Sequence, residues 1–395
     1  MSINFYKEIN LKWLDLIAKR AEEFRVRAYL VGGIVRDIIL KNDIKDIDIT
    51  VEGDAIEFCE YMQQNGDCEI KSVQENLRTV KVEFSSDCVI DIASTREEYY
   101  IKGGVLPVVK NFGCEVKKDV KRRDFTINTL ALEITTDKKY RLIDYLGGYE
   151  DIESKKIRVL HDKSFIDDPS RIVRAVKFQM RLGFEIEQDT NELINEYLKN
   201  VDKTIPLERI KSELCQYFSI NKRGLYKNII DKKVYKLVSD KAFPSFNEEL
   251  FNEINQFYNI GDKFFIYFGL LIIYDKFDNQ RLNLTVQEKK ILSETLELLK
   301  SGKKNSDYEN YKKFKGKADK SIILYYLISS DKMVIRFLKD LQSINIEISG
   351  NDLIKMGLKP SKQFGYILDK VLEMKIEGKI ESKSEEIEYV KQHFI

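Results

Sequence analysis

Leu11, Trp13, Leu14, Ile17 and Ala18 recur at helical spacing within residues 5–24, which predicts an amphipathic helix leading into an apolar strand, Ala28–Val31. Gly32-Gly33 breaks that strand and a short helix follows over Ile34–Leu40. Asp46–Val51 then alternates polar and apolar with the two-residue period of a half-buried strand. Three further strands are predicted over Arg78–Phe84, Cys88–Ala93 and Ala131–Ile134. Between Glu97 and Lys117 the residues Gly103, Gly104, Pro107 and Gly113 predict a long mobile loop. Beyond about residue 165 the strand signals give way to successive amphipathic helices with polar links. The class is therefore α+β: a mixed-sheet head over 1–150, a helical neck over 151–220, a helical body over 221–345 and a helical tail over 346–395. The longest apolar run, Phe264–Tyr274, spans about 16 Å as a helix, about half a bilayer core, and reads as a buried helix.

Composition narrows the chemistry. The 395 residues carry a net charge of +1, so no overall basic field advertises nucleic acid and any such binding uses a local patch. Only two histidines occur, His161 and His393, which removes the parts for zinc sites built on several imidazoles, for histidine-based phosphohydrolase centres and for most Ser/His/Asp arrangements. Catalysis is left to carboxylates and metal. Five scattered cysteines, none in a C-x-x-C spacing, predict free thiols in a reducing compartment. The start of the chain predicts no signal peptide, and the expected location is the cytoplasm, with no membrane partner.

Asp46 and Asp48 stand two apart on a predicted strand, so their side chains leave one face while Ile47 and Ile49 enter the core. Carboxylates roughly 6 to 7 Å apart repel by about 2 to 3 kcal/mol at an effective dielectric near 20. A cation relieves that repulsion, and oxygen-only ligands with open positions suit Mg²⁺, which takes a couple of carboxylates plus substrate phosphates. Two solvated aspartates at a strand end are the simpler alternative. Asp91, inside the apolar run Val89–Ala93, is a candidate third carboxylate of a two-metal site. Gly32-Gly33, between strand and helix, would point backbone N–H groups and the Arg36 guanidinium at a phosphate. It is neither a dinucleotide fingerprint nor a P-loop.

Leu30-Val31-Gly32-Gly33-Ile34-Val35-Arg36-Asp37 followed by Asp46-x-Asp48 resembles the signature of polymerase-beta-type nucleotidyltransferases, and more narrowly the class II branch of tRNA CCA-adding enzymes and bacterial poly(A) polymerases. Arg122–Asn128 (RRDFTIN), Ile143–Gly148 (IDYLGG) and Asp167–Arg171 with Arg174–Phe178 resemble three later blocks of that branch. The resemblance implies a head that transfers nucleotides, a neck that reads the base, two Mg²⁺ ions on Asp46 and Asp48, and addition without a nucleic-acid template.

An enzyme without a template must read the base itself. Cytosine and adenine both offer an exocyclic amino donor beside a ring-nitrogen acceptor, whereas uracil and guanine place a ring N–H there. One carboxylate acceptor next to one guanidinium donor therefore accepts C and A and rejects U and G. Asp168 and Arg171, three apart on a predicted helix, are adjacent on its surface and match the family's base-reading pair. Asp168 before Pro169 is also a good helix cap. Arg174 resembles the triphosphate-binding arginine, and Arg123 a nucleotide-contacting position beside Asp124, which would orient an arginine. Lys177 lies nine residues past Asp168, about 100° each, and reaches the same ligand only from the flank. Lys177 and Asp167 replace the family's usual arginine and glutamate with their charges kept.

Ile205–Leu214 resembles the family's fifth motif, a helix start that buttresses the base-reading helix, and Gly350–Pro360 resembles the tail of bacterial tRNA-adding enzymes. A helix predicted from near Ser361, with Lys359 and Lys362, would offer phosphate contacts, or serve as an ordinary packing element. Lys303, Lys304, Lys312, Lys313, Lys315, Lys317 and Lys320 form the best local basic patch, which also fits a solvated face. The expected activity is Mg²⁺-dependent addition of C, C and A to the tRNA 3′ end from CTP and ATP. The alternatives are CC-only or A-only addition, poly(A) synthesis, and a non-catalytic RNA-binding relative.

Overall fold

The computed structural model describes residues 12–44, 46–85, 88–245, 247–256, 258, 263–274 and 280–395. They form two compact units, 1–220 and 221–395. Residues 5–11 of the first predicted helix lie outside the described residues, and the helix runs Lys12–Phe24.

The first unit is built on a seven-stranded sheet. Its strands are β1 (Ala28–Val31), β2 (Asp48–Val51), β3 (Glu69–Gln74), β4 (Thr79–Ser85), β5 (Cys88–Ser94), β8 (Ala131–Ile134) and β9 (Arg141–Ile143), in the order β3-β4-β5-β2-β1-β8-β9. β2 and β5 run parallel, Asp48 opposite Asp91, while every other neighbouring pair is antiparallel. All four residues of β1 are buried, as a central strand with both faces covered demands. The helices Lys12–Phe24 and Ala55–Gln64 pack on the sheet. The second is started by Asp54, whose Oδ1 accepts from Ile56 N at 2.9 Å.

Four expectations change. β2 begins at Asp48, leaving Asp46 just before the strand: ladder bonding starts where Asp91 N donates to the Ile47 carbonyl, at 3.1 Å. The predicted loop between Glu97 and Lys117 is a β-hairpin, β6 (Arg96–Tyr99) on β7 (Val108–Phe112), because Gly103 and Gly104 occupy the connection and Gly113 follows the second strand. Its tip is seated on the neck: Gly104 N donates to the Asp167 carbonyl at 2.9 Å. Gly104 has φ +76°, and a Cβ there would overlap Ile205. A short parallel pair, Lys156–Ile157 with Glu185–Ile186, extends strand structure past residue 165. β3 carried no apolar period because nearly all of it is exposed at the sheet edge. Beyond the sheet, the helix Ser170–Leu182 packs on Glu208–Phe218, and both border the candidate site.

The second unit is helical. Phe264–Ile272 is the expected buried helix, and no helix among the described residues is long and apolar enough to cross a membrane. In the tail, Gly350–Lys355 starts with a Ser349/Asp352 capping box, and the next helix runs Gln363–Ile376, two residues later than predicted. Ile348, Leu353, Ile367, Val371 and Val390 form its core. The lysine stretch is not one continuous basic face. Lys313 is buried, donating to the Gly302 carbonyl at 2.7 Å and to Tyr325 Oη, while Lys317 pairs with Glu297 and Lys312 lies 3.7 Å from Asp369.

Candidate active site

A cleft of about 650 Å³ in the first unit is lined by Gly32, Gly33, Arg36, Asp46, Asp48, Arg123, Asp124, Asp168, Arg171, Arg174 and Lys177. Eleven of the twelve residues singled out for catalysis or nucleotide binding thus face one space, although Gly32 and Lys177 are far apart in sequence. Asp91 is the exception. It is the cross-strand neighbour of Asp48, its carboxylate lies 3.7 Å from Lys81, and it is not part of the lining.

Asp46 and Asp48 are both solvent-exposed at the start of β2. Crowding by protein raises the Asp48 carboxyl above its ordinary value against the pull of Arg123, and the neighbouring Asp91 and Asp46 add to the rise. A pair of exposed carboxylates under mutual repulsion, beside an arginine-lined cleft, fits a divalent cation shared with substrate phosphates. Among the described residues no three acidic, histidine or cysteine side chains converge as a ready-made metal group, so open positions would be filled by substrate and water.

Gly32 has φ +77°, and a Cβ there would stand 2.9 Å from Arg123 Nη1, so the bare turn lets this arginine approach the backbone. Arg123 is steered by Asp119, which is fully buried and accepts from Arg123 Nη2 at 3.0 Å and from Arg122 Nε at 2.9 Å. Burial alone would raise the Asp119 carboxyl, but Arg123 and Arg122 outweigh it and hold it below the carboxylate range. Arg36, expected to aim at phosphate, is 2% exposed and spends its donors on Asp37, at 2.9 to 3.1 Å, and on Asn128 Oδ1 at 2.6 Å. In this arrangement it buttresses the glycine turn.

Asp168 starts a helix, as its capping reading expects, and also lines the cleft. Its Oδ1 accepts from Ser170 N at 3.1 Å and Ser170 Oγ at 2.6 Å, starting the helix Ser170–Leu182. Its Oδ2 lies 3.9 Å from Arg171 Nε and accepts from Arg209. Arg171 donates to the Arg122 carbonyl at 3.0 Å and sits 6.0 Å from the Tyr100 ring centroid. One turn on, Arg174 donates to Asp124 at 2.7 Å and Glu213 at 2.9 Å. Lys177 donates to Glu213 Oε2 at 2.5 Å and Gln216 at 2.7 Å, entering from the flank as its helical phase requires. Burial lowers the Lys177 ammonium, and Glu213 opposes that shift.

Arg209, Glu213, Asp119 and Tyr100 are site residues that the sequence did not single out. Arg209 and Glu213 are four apart on one helix and therefore share a face. That spacing, one cation and one anion inside a segment already read as a buttress, was a usable signal for the pair. Asp119 and Tyr100 carried none.

A mixed sheet with a Gly-Gly turn, a carboxylate pair opening the next strand and an arginine-lined cleft is the arrangement expected of a nucleotidyltransferase head. Residues 28–158 match the Poly A polymerase head domain family. That span holds the seven-stranded sheet and the cleft residues from Gly32 to Asp124. A protein of Geobacter sulfurreducens named A-adding tRNA nucleotidyltransferase is 43% identical over 183 residues, 46% of this chain and 20% of its own length. The chain thus spans about a fifth of that relative. An A-adding tRNA nucleotidyltransferase of Halalkalibacterium halodurans is 26% identical over 98% of this chain and 93% of its own. The solved Thermotoga maritima CCA-adding enzyme complexed with tRNA_CCA superimposes with a TM-score of 0.75 at 25% identity, covering 99% and 98% of the two chains.

Proposed function

We propose that this protein adds nucleotides to the 3′ end of tRNA from CTP and ATP, without a template and with release of pyrophosphate, completing the terminal CCA. The observation that carries this reading is the convergence of the Asp46/Asp48 pair and the Asp168/Arg171 pair on one cleft. In the reaction the tRNA 3′-oxygen bonds to the α-phosphorus, the hydroxyl proton leaves, and the bond from the α-phosphorus to the bridging oxygen of pyrophosphate breaks. Two Mg²⁺ ions held by Asp46 and Asp48 would supply Lewis-acid activation of that hydroxyl and neutralise charge on the phosphates. Arg123, Arg174 and Lys177 bind the triphosphate as charge-assisted donors, with Gly32 and Gly33 leaving the backbone open to it. Arg36 holds the turn. Asp168 accepts from the exocyclic amine of C or A, and Arg171 donates to the adjacent ring nitrogen. Asp124 orients Arg174. Asp91 adds negative charge behind Asp48. The helical tail, 346–395, is assigned to holding the tRNA, and the expected setting is the cytoplasm.

A second reading, A-only addition, is favoured by the names of the two curated relatives. Transcripts ending before CCA, at C and at CC, incubated with CTP, with ATP and with both, separate the two. Growth of the shortest acceptor by three nucleotides with both substrates supports complete addition. A single A on the CC acceptor alone supports the second reading, and unlimited growth with ATP contradicts both.

A further inference from the structure

Arg181 stands in the last turn of the helix Ser170–Leu182 and lines the same cleft. Every other cation of that lining donates a side-chain hydrogen bond to a protein group: Arg123 to Asp119, Arg174 to Asp124 and Glu213, Lys177 to Glu213, and the rest likewise. Among the described residues Arg181 makes none. Its one ion pair there is with Asp37, whose Oδ2 lies 3.6 Å from Nη2, beyond hydrogen-bond reach. Asp37 is already taken by Arg36, which donates to it through Nε at 3.1 Å and Nη2 at 2.9 to 3.0 Å, so its charge is offset. A cation in the last turn is favoured by the helix dipole, and Arg181 holds its place without a close carboxylate. The side chain is 44% exposed, and its donors are left for a ligand that brings acceptors.

Resting on the base and triphosphate assignments above, we infer that Arg181 binds the terminal phosphate of the incoming nucleoside triphosphate and stays with the pyrophosphate as it leaves. The order of charges along the helix gives the reason. Asp168 and Arg171, assigned to the base, come first; Arg174 and Lys177, assigned to the triphosphate, follow; Arg181 comes last. At a rise of about 1.5 Å per residue Arg181 lies about 15 Å beyond Arg171. It is seven residues past Arg174, about 700° of rotation, so the two leave nearly the same face about two turns apart. A nucleotide held by its base at one end of this row has its outermost phosphate at the other. There the charge is greatest, and a planar guanidinium with uncommitted donors can take two phosphate oxygens at once. Asp37, behind Arg181, keeps that side chain at the cleft without saturating it.

The test is equilibrium binding of ATP, ADP and inorganic pyrophosphate, each with Mg²⁺ and without tRNA, to the full chain as wild type, Arg181→Gln and Arg181→Lys. Thermal melting of each variant checks that the fold is kept. Wild type is expected to bind ATP more tightly than ADP. In Arg181→Gln, binding of ATP and of pyrophosphate should weaken by about tenfold while ADP changes by less than about twofold, and Arg181→Lys should recover part of the loss. A residue that only ties this helix to Asp37 would weaken ATP and ADP by the same factor, and that result overturns the inference. Unchanged ATP binding in Arg181→Gln overturns it too, as does a wild type that binds ADP as tightly as ATP. Addition to tRNA transcripts is read separately: a wild type that binds ATP but adds no nucleotide overturns the proposed function, whereas an unchanged ATP-to-ADP ratio with normal addition overturns the Arg181 contact alone.

Discussion

Arg174 donates through Nε to Asp124 Oδ2 at 2.7 Å, tying the base-side helix to the block that follows the Asp119 clamp. Burial lowers the arginine's affinity for its proton, but Asp124 and Glu213 more than reverse this, so the guanidinium stays charged in a crowded site. A charge held this way, at the side of the cleft, acts on whatever feature the substrates share. Both nucleotides share the triphosphate. Arg174→Ala is expected to raise KM for CTP and ATP by a similar factor, about tenfold to a hundredfold, from the loss of charge-assisted hydrogen bonds. Steady-state kinetics with each nucleotide checks it, and a selective loss of one of them contradicts the role.

Asp48→Asn keeps the shape of the strand start and removes one of two exposed charges. Incorporation is expected to fall by about three orders of magnitude, the equivalent of about 4 kcal/mol of transition-state stabilisation, with nucleotide affinity much less affected. Asp46→Ala should behave in the same way. Pyrophosphate release measured across a Mg²⁺ titration provides the readout, and near-normal turnover in either variant sinks the carboxylate assignment.

The hairpin depends on its tip. A methyl group at Gly104 meets Ile205 and sits on a positive φ, so Gly104→Ala should unseat the connection between β6 and β7 without touching the sheet. Faster proteolytic cleavage between residues 99 and 108 is the expected sign, accompanied by a loss of addition through Tyr100 and Arg171. Unchanged cleavage and unchanged addition would mean the tip seating carries no function.

Acid stability follows from the buried aspartates. Burial alone raises a carboxyl, but Arg123 and Arg122 hold Asp119, and Arg174 holds Asp124, below the ordinary range. A group lowered in the folded state binds fewer protons there than in the unfolded chain, so its stabilisation is complete above the unfolded value of about 3.9 and is lost as pH falls through the folded one. Urea midpoints, followed by the fluorescence of the single tryptophan Trp13, should therefore drop below about pH 4. Asp119→Asn should lower the midpoint at pH 7 and flatten that acid limb. A variant curve parallel to wild type contradicts the linkage.

Residues that touch the cleft were readable because short blocks carry them: a turn, a strand start and one helix deliver Gly32, Asp48 and Arg174 by local geometry. What the sequence hid depends on pairing between distant segments. The hairpin looked like a loop because its turn glycines sit between two short strands, one half-buried and one largely exposed, with weak alternation. Arg36, expected at the phosphates, lines the cleft, but nothing local shows that Asn128, 92 positions later, also takes one of its donors. Asp46 looked like a strand residue because apolar alternation runs past the point where hydrogen bonding begins. Asp119 lies in a short polar helix whose burial arises only when Arg122 and Arg123 fold back over it.

The central claim is that one carboxylate and one guanidinium in this cleft choose the nucleotide added to a tRNA end. The most direct measurement is single-turnover addition of each of the four ribonucleoside triphosphates to a transcript lacking its terminal A, with Mg²⁺. The account predicts efficient addition of A, with U and G at least about a hundredfold slower, and collapse of that difference in Asp168→Asn or Arg171→Ala. Addition of U or G as fast as A by wild type, or full selectivity kept by both variants, would contradict it.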